Sequence, residues 1–358
     1  MKLVRSSDIG VRLLALASCM VAIGGTVLSA QAQAPSAVVR LDPTLDAIVA
    51  TSARMEPLKQ DYFGITEGPL WVREGPSGYL LFSDVGGNTI YKWTRDGAVS
   101  VFLERAGYTG NDISSVGNIA NNGRLNVATS GPNGIAVDPQ GRFVFSAMGD
   151  RAIVRLEKDG RRTVLADRYE GKRLNGTNDL VIKSDGAVYF TDPPSGLRGG
   201  NNSPDKELDF RGVFLWKDGR LQVIDRDPQG ASPNGIALSP DEKYLYVNGG
   251  QKITRYEVQP DSTVANPRLF IDMSSDKAPG GTDGMKVDQK GNVYCTGPGG
   301  IWIMSPAGKH LGTIRVPESP TNFAFGDADG RGLYITARRS LFRIRVMMPG
   351  IRPQSSSQ

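Results

Sequence analysis

Histidine is almost missing from this chain: His310, in AGKHLG, is the single imidazole among 358 residues. A Ser-His-Asp or Cys-His nucleophile needs an imidazole in its pocket, and His310 is expected on an outer hairpin turn, in solvent. Acid–base chemistry would therefore fall to a carboxylate or to a metal-bound water. Cysteine is as scarce, with only Cys19 and Cys295. Cys19 belongs to an N-terminal apolar stretch, and without that stretch no internal disulfide can form. Cys295, in NVYCTG, reads as a small apolar strand residue, with a reactive thiol as the other reading. Long helical patterns are few and glycine is abundant, which points to an all-β protein. The formal charge of +5 is well mixed. No basic block and no basic stripe interleaved with aromatics occurs, so nucleic acid is not an expected partner.

The N-terminus has its own logic. MKLVRSSDIGVR is basic, LLALASCMVAIGGTVLSA is apolar, and AQA follows. That is the pattern of a secretory signal peptide over residues 1–32, cleaved after Ala32. It implies an exported protein, periplasmic or secreted, with no stable membrane insertion after cleavage. A single membrane anchor is the competing reading, but the stretch is near the lower limit for spanning and is diluted by Ser, Thr and Gly. Leu16-Ala17-Ser18-Cys19 offers a third, a lipoprotein box, with a very short apolar run before Cys19. Residues 33–60 read as a lead-in that would supply a strand or helix to close the fold. Residues 61–346 read as one domain, and 347–358 as a flexible tail.

One phrase recurs six times. TEGPLWVREGPSGYLLFSD begins at Thr66, PNGIAVDPQGRFVFSA at Pro132 and TNDLVIKSDGAVYFTD at Thr177. PNGIALSPDEKYLYVN follows at Pro233, TDGMKVDQKGNVYCTG at Thr282 and TNFAFGDADGRGLYIT at Thr321. Each is a short apolar strand, a polar turn and a second β-rich strand, the signature of a hairpin. Segments such as AIVRLEKDGRRTVLA and GVFLWKDGRLQVID lie between the phrases and supply second hairpins. Units of four strands repeated at this period predict a six-bladed β-propeller, with four-stranded antiparallel blades around a central channel. A β-sandwich or two smaller β-domains would not explain the regular unit. Two stretches, 104–130 and 194–212, exceed ordinary blade connections; long loops of this kind are often functional.

The second residue of the six phrases is Glu67, Asn133, Asn178, Asn234, Asp283 and Asn322. All carry a side-chain oxygen, and in a propeller all would meet at one height around the axis. The plain reading is turn chemistry, because Asn-Gly tolerates positive φ. That reading suits Asn133 and Asn234 but accounts poorly for Glu67, Asn178-Asp and Asn322-Phe. The sharper reading is a hard divalent cation held by carboxylate and amide oxygens. Calcium suits a flexible oxygen ring best, with magnesium, manganese or zinc as substitutes in vitro.

EGPLW, RLNGTNDLVIKSDGAVYFTDPP, SPNGIALSPDEKYLYV and TDGMKVDQKGNVY, in this order and at blade spacing, resemble the gluconolactonase / senescence marker protein / luciferin-regenerating family. The resemblance runs from about Gly64 to Arg345. It implies a six-bladed propeller, a calcium-type ion in the channel and hydrolysis of a lactone. Carried over by motif, it implies Glu67, Asn234 and Asp283 as metal ligands, and Asn178 as a ligand in some relatives and a substrate contact in others. The chain departs from the family at Ser146-Ala147-Met148-Gly149, where many bacterial members resemble C-E-H-G, and at LNGTND, where L-N-S-P-N-D is common.

On these residues the expected reaction is metal polarisation of the ester carbonyl and attack by water. Asp283 would take the proton. Direct attack by its carboxylate, or a metal-activated hydroxide, stays open. Asn133, Arg173, Asn178 and Asp192 are the candidate substrate contacts. Asp192 closes a second strand and leads residues 194–212 towards the channel mouth as a lid; a loose surface insertion is the other reading. Hydrolysis of other lactones or of phosphotriesters, or a non-catalytic ligand-binding propeller with a structural ion, are the competing functions on the same frame.

Overall fold

The computed structural model describes residues 36–75, 77–227 and 230–351. The signal-peptide and lipoprotein readings, and residues 352–358 of the tail, lie outside the described residues. Six antiparallel sheets make the blades. Blade 1 comprises Thr66–Val72, Tyr79–Asp84, Thr89–Trp93 and Val99–Glu104. Blade 2 comprises Pro132–Val137, Phe143–Ala147, Ala152–Leu156 and Arg162–Ala166. Blade 3 comprises Leu180–Ile182, Val188–Asp192, Gly212–Lys217 and Arg220–Arg226. Blade 4 comprises Ile236–Leu238, Tyr244–Gly249, Lys252–Val258 and Val264–Asp272. Blade 5 comprises Met285–Val287, Val293–Gly297, Gly300–Met304 and His310–Ile314, and blade 6 Pro320–Gly326, Gly332–Ala337 and Ser340–Arg345.

Blade 6 takes its fourth strand from the lead-in. Met55–Lys59 pairs antiparallel with Ser340–Arg345, so the two ends of the chain are fastened in one sheet and the ring has no open blade. Val38–Arg40 adds a fifth strand to blade 5. At the other end, residues 347–351 lie against the ring: Gly350 N–H donates to Gly330 O and Ile351 N–H to Val287 O.

The second strands YLLFSD, VYFTD, VYCTG and GLYITA are buried at every position. Neighbouring blades cover both of their faces, so alternation gives way to continuous apolar runs. The outermost strand of blade 1, VSVFLE, is open to solvent along most of its length. Apolar clusters fill the six interfaces between blades. Leu81 and Phe145 meet between blades 1 and 2, and Phe190 and Val144 between blades 2 and 3. Tyr189 and Val247 join blades 3 and 4, Ile253 and Met304 blades 4 and 5, Tyr294 and Phe323 blades 5 and 6, and Tyr334 and Trp71 blades 6 and 1. Cys295 is fully buried in the blade 4–5 cluster, and burial pushes its thiol up, which suits packing and not reactivity.

His310 is not the solvated turn residue expected. It opens the outer strand of blade 5 and stacks on Trp302 at 3.6 Å between ring centroids. Burial holds its imidazole below the ordinary value. No helix among the described residues is long and apolar enough to cross a membrane.

Candidate functional site

The six column residues lie where strand pairing breaks off. In blade 1 the register slips between Glu67 and Leu70, and in blade 6 between Pro320 and Asn322. In blades 3, 4 and 5 the inner strand begins only after Asn178, Asn234 and Asp283. Bulges and strand ends re-aim side chains that a regular ladder would fix. None of the six has a positive φ, and of the glycines that follow four of them only Gly68 does. Turn chemistry therefore does not explain the Asn-Gly pairs. Crowding does. A Cβ on Gly68 would lie 1.9 Å from Asn133 O, one on Gly235 2.2 Å from Asp283 O, and one on Gly284 2.2 Å from the Asn322 side chain. Each glycine lets the next blade bring its own column residue close to the axis. Hydroxyls on second strands tie the column across blades: Ser83 donates to Asn133 O and Thr191 to Asn234 O, both at 2.6 Å.

The side chains converge through Asn322. Its Nδ2 donates to Glu67 Oε2 at 3.2 Å and lies 3.4 Å from Asp179 Oδ2. Its Oδ1 accepts from the Phe323 N–H and from Lys286 Nζ at 3.1 Å. Lys286 Nζ also donates to Met285 O at 2.9 Å and sits 3.8 Å from Asp179 Oδ2, reaching from blade 5 across the axis to blade 3. Burial pushes Glu67 up to about 7, with the Asp179 carboxylate adding to the effect and Lys286 opposing it. Burial also lifts Asp283 well above the ordinary carboxylate range. The neighbouring Glu67 and Asp179 carboxyls raise it further, and Arg338 works the other way. With all four channel groups ionised, three carboxylates against one ammonium leave two negative charges.

Among the described residues no group of three or more His, Cys, Asp or Glu side chains gathers at metal-binding spacing. The donors here are of mixed type, and they fit a hard divalent cation on independent grounds. Asn133 Oδ1 is one of seven buried side-chain atoms among the described residues with no hydrogen-bond partner, and at the column it leaves an acceptor open to a ligand. Glu67 and Asp283 are two crowded carboxyls whose ionisation an adjacent cation would favour. Oxygen-only donors of this kind suit calcium.

The other candidates separate. Asn178 is buried at the column and its side chain bonds no described neighbour, while Asn234 is partly exposed there. Arg173 is not brought into contact with the column. It sits on the short strand Lys172–Arg173, and its Nη2 donates to Asp150 O at 2.9 Å. Asp192 is corrected from substrate contact to loop anchor: it is fully buried, and its two oxygens accept the N–H groups of Asn175 and Gly176, both at 2.8 Å. Burial pushes Asp192 up to about 6 despite those bonds. Asp179 and Lys286 belong to the converged set; the sequence reads Asp179 as a loop anchor with a catalytic role as the other reading, and Lys286 was not among the sequence candidates. Asp179 follows Asn178, and Lys286 lies three residues beyond Asp283, but neither spacing shows which chains cross the axis.

Both long loops leave the ring at the column end and pack on each other. Gly117 N–H donates to Gly196 O and Asn118 N–H to Ser195 O. Arg198 Nη2 donates to Ile113 O and Val116 O. Residues 194–212 are thus an ordered loop packed on 113–118, with short 3-10 turns at Pro194–Gly196 and Gly200–Asn202, and not a loose insertion. Met148, in the segment that departs from C-E-H-G, is buried with Ile65 and Val85, with Ala120 and Val127 of the 104–130 loop packed against it.

Residues 65–339 match the family described as SMP-30/Gluconolactonase/LRE-like region. The chain is 37% identical over 322 residues to the gluconolactonase of Zymomonas mobilis, covering 86% of each chain. It is 29% identical over 220 residues to the pentonolactonase XacC of Haloferax volcanii, covering 59% of this chain and 68% of that one. Among solved structures, the gluconolactonase XC5397 of Xanthomonas campestris superposes with a TM-score of 0.69 at 31% identity, covering 86% of this chain and 94% of that one. A family match over most of the propeller, a relative matched over most of its length and the column geometry agree: the chain belongs to the SMP-30/Gluconolactonase/LRE-like family.

Proposed function

We propose that this protein hydrolyses a sugar lactone, with a calcium-type divalent cation held by Glu67, Asn178, Asn234 and Asp283. The observation that carries the reading is the crowded Glu67–Asp283 pair beside the unpartnered Asn133 Oδ1, in a chain 37% identical to a gluconolactonase over 86% of its length. When bound, the ion supplies Lewis acidity at the ester carbonyl and charge to balance the oxyanion. The chain's residues do the rest. Asp283 accepts the proton of the attacking water at a carboxylate oxygen. Asn178 and Asn133 offer amide groups to the hydroxyls and carbonyl of the substrate. Lys286 and Asn322 hold Asp179 and Glu67 in place below. Export is part of the same proposal, and the N-terminal residue of the purified mature protein tests it: Gln33 is expected.

The test of function is acid release from glucono-δ-lactone above the spontaneous rate. Turnover should vanish with chelator and return with calcium, and with magnesium, manganese or zinc to lesser degrees. Turnover that ignores chelator would overturn the role of the ion. No turnover on any aldonolactone, with metal restored, would overturn the lactonase reading.

A further inference from the structure

Two adjacent arginines sit at the column end of blade 6, between the strands Gly332–Ala337 and Ser340–Arg345. Arg339 is fully engaged. Its Nε and Nη2 pair with Asp61 at 2.9 and 2.8 Å, its Nη1 donates to Asn122 O, and its N–H donates to Glu318. Arg338 is placed differently. Its carbonyl accepts the N–H of Thr66 at 2.7 Å and the Thr66 hydroxyl at 3.0 Å, which fixes the turn beside the residue that precedes Glu67. Its guanidinium makes one bond, from Nη1 to Asn121 O of the 104–130 loop at 3.3 Å, and no carboxylate lies within ion-pair distance among the described residues. The side chain keeps partial exposure. Its backbone stands at φ +44, a region costly for a residue with a Cβ.

An unpaired guanidinium at the rim of a carboxylate site has a clear chemical use. A bound divalent cation would neutralise the column and leave Arg338 as a guanidinium with no carboxylate partner among the described residues. Lactone hydrolysis turns a neutral ring into a carboxylate, and guanidinium binds carboxylate through paired N–H groups. We propose that Arg338 is a substrate-contacting specificity residue that binds the carboxylate generated by ring opening, and selects sugar lactones bearing an acidic substituent over neutral ones. This rests on the lactonase reading, but the contact itself is measurable without turnover.

The experiment compares wild type, Arg338→Gln, Arg338→Lys and Arg339→Gln, each loaded with calcium. Gluconate binding is measured by calorimetry, and kinetics are run on glucono-δ-lactone and on a uronic-acid lactone. Arg338→Gln should weaken gluconate binding about tenfold and raise KM for the acidic lactone about tenfold, with kcat within about threefold; a single lost charge-assisted contact is of that size. Arg338→Lys should recover part of both. Arg339→Gln should lower the melting temperature and leave gluconate binding and KM unchanged. Gluconate binding that survives Arg338→Gln overturns the proposal while the lactonase reading stands. Gluconate binding lost in Arg338→Gln, in a wild type that turns over no lactone, overturns the lactonase reading and keeps the anion site. A wild type that neither binds gluconate nor turns over overturns both.

Discussion

The two halves of the central channel are built from the same inner strands and could hardly differ more. At one end Glu67, Asn133, Asn178, Asn234, Asp283 and Asn322 stand around the axis with Asp179 and Lys286. A few residues further along the strands, Leu70, Ile135, Leu180, Ile236, Val287 and Phe325 line a cavity of about 200 Å³, with Ile351 of the C-terminal segment at its wall. Among the described residues, none lining the apolar half carries a buried side-chain polar atom without a partner. The polar half does: Asn133 Oδ1 has no partner, and burial raises Glu67 and Asp283, with Glu67 raising Asp283 further. A buried polar group without its complement costs stability. The column end is therefore the costlier half of the channel to bury.

The largest break in that comparison is Asp283→Asn. Turnover of glucono-δ-lactone should fall about 10²- to 10⁴-fold, the range for loss of a general base. The melting temperature should hold or rise, since one of the mutually repelling carboxyls is gone. Leu238→Ala, on the apolar half, should do the reverse: a loss of about 2–5 kcal/mol by denaturant unfolding with KM unchanged. A drop of similar size in both properties for either variant would erase the distinction between the halves.

Gly235→Ala tests whether crowding, not turn formation, explains the small residue after the column. Its Cβ would meet Asp283 O at 2.2 Å, and its φ is not positive. About 1–3 kcal/mol of destabilisation is expected from the overlap. A near-neutral result would remove the crowding account of the Asn-Gly pairs.

Asp192 sharpens the contrast through pH. Its folded value near 6 lies above the ordinary 3.8, so the native state binds the extra proton between those values. Stability from this group is therefore full below about pH 4 and is lost as pH rises through 6, by on the order of 3 kcal/mol. Asp192→Asn should flatten the slope of unfolding free energy over that window. A slope unchanged in the variant would show that other groups carry it.

Lys286→Met is expected to have the smallest effect. It strips the ammonium from Asp179 and Asn322 Oδ1 and should cost about 1–3 kcal/mol. Apo protein should lose more than calcium-loaded protein, because the ion would take over part of the charge balance. Equal losses in both forms would separate Lys286 from the site.

Much of this was legible beforehand, for identifiable reasons. Strand alternation and tight polar turns are local, so the hairpins from TEGPLWV to TNFAFG could be read one phrase at a time, and their repetition gave the ring. The column was legible because a repeat places equivalent residues at equivalent heights. The assignments that failed depended on direction. Asp192 closes a strand at the right end of the channel, yet its carboxylate turns back onto Asn175 and Gly176. His310 carried no local sign that Trp302 would stack on it.

The chain's own order of residues determined the blade, its repetition and which six oxygens share a height, because these follow from periodicity and backbone sterics within about twenty residues. Tertiary structure decided the rest: that the lead-in closes blade 6 with the strand Met55–Lys59 and not with a helix, that Lys286 reaches Asp179, and that the Arg338 carbonyl holds Thr66 beside Glu67. Those facts depend on contacts between residues tens to hundreds of positions apart. No local pattern encodes the direction in which a side chain leaves a closed ring.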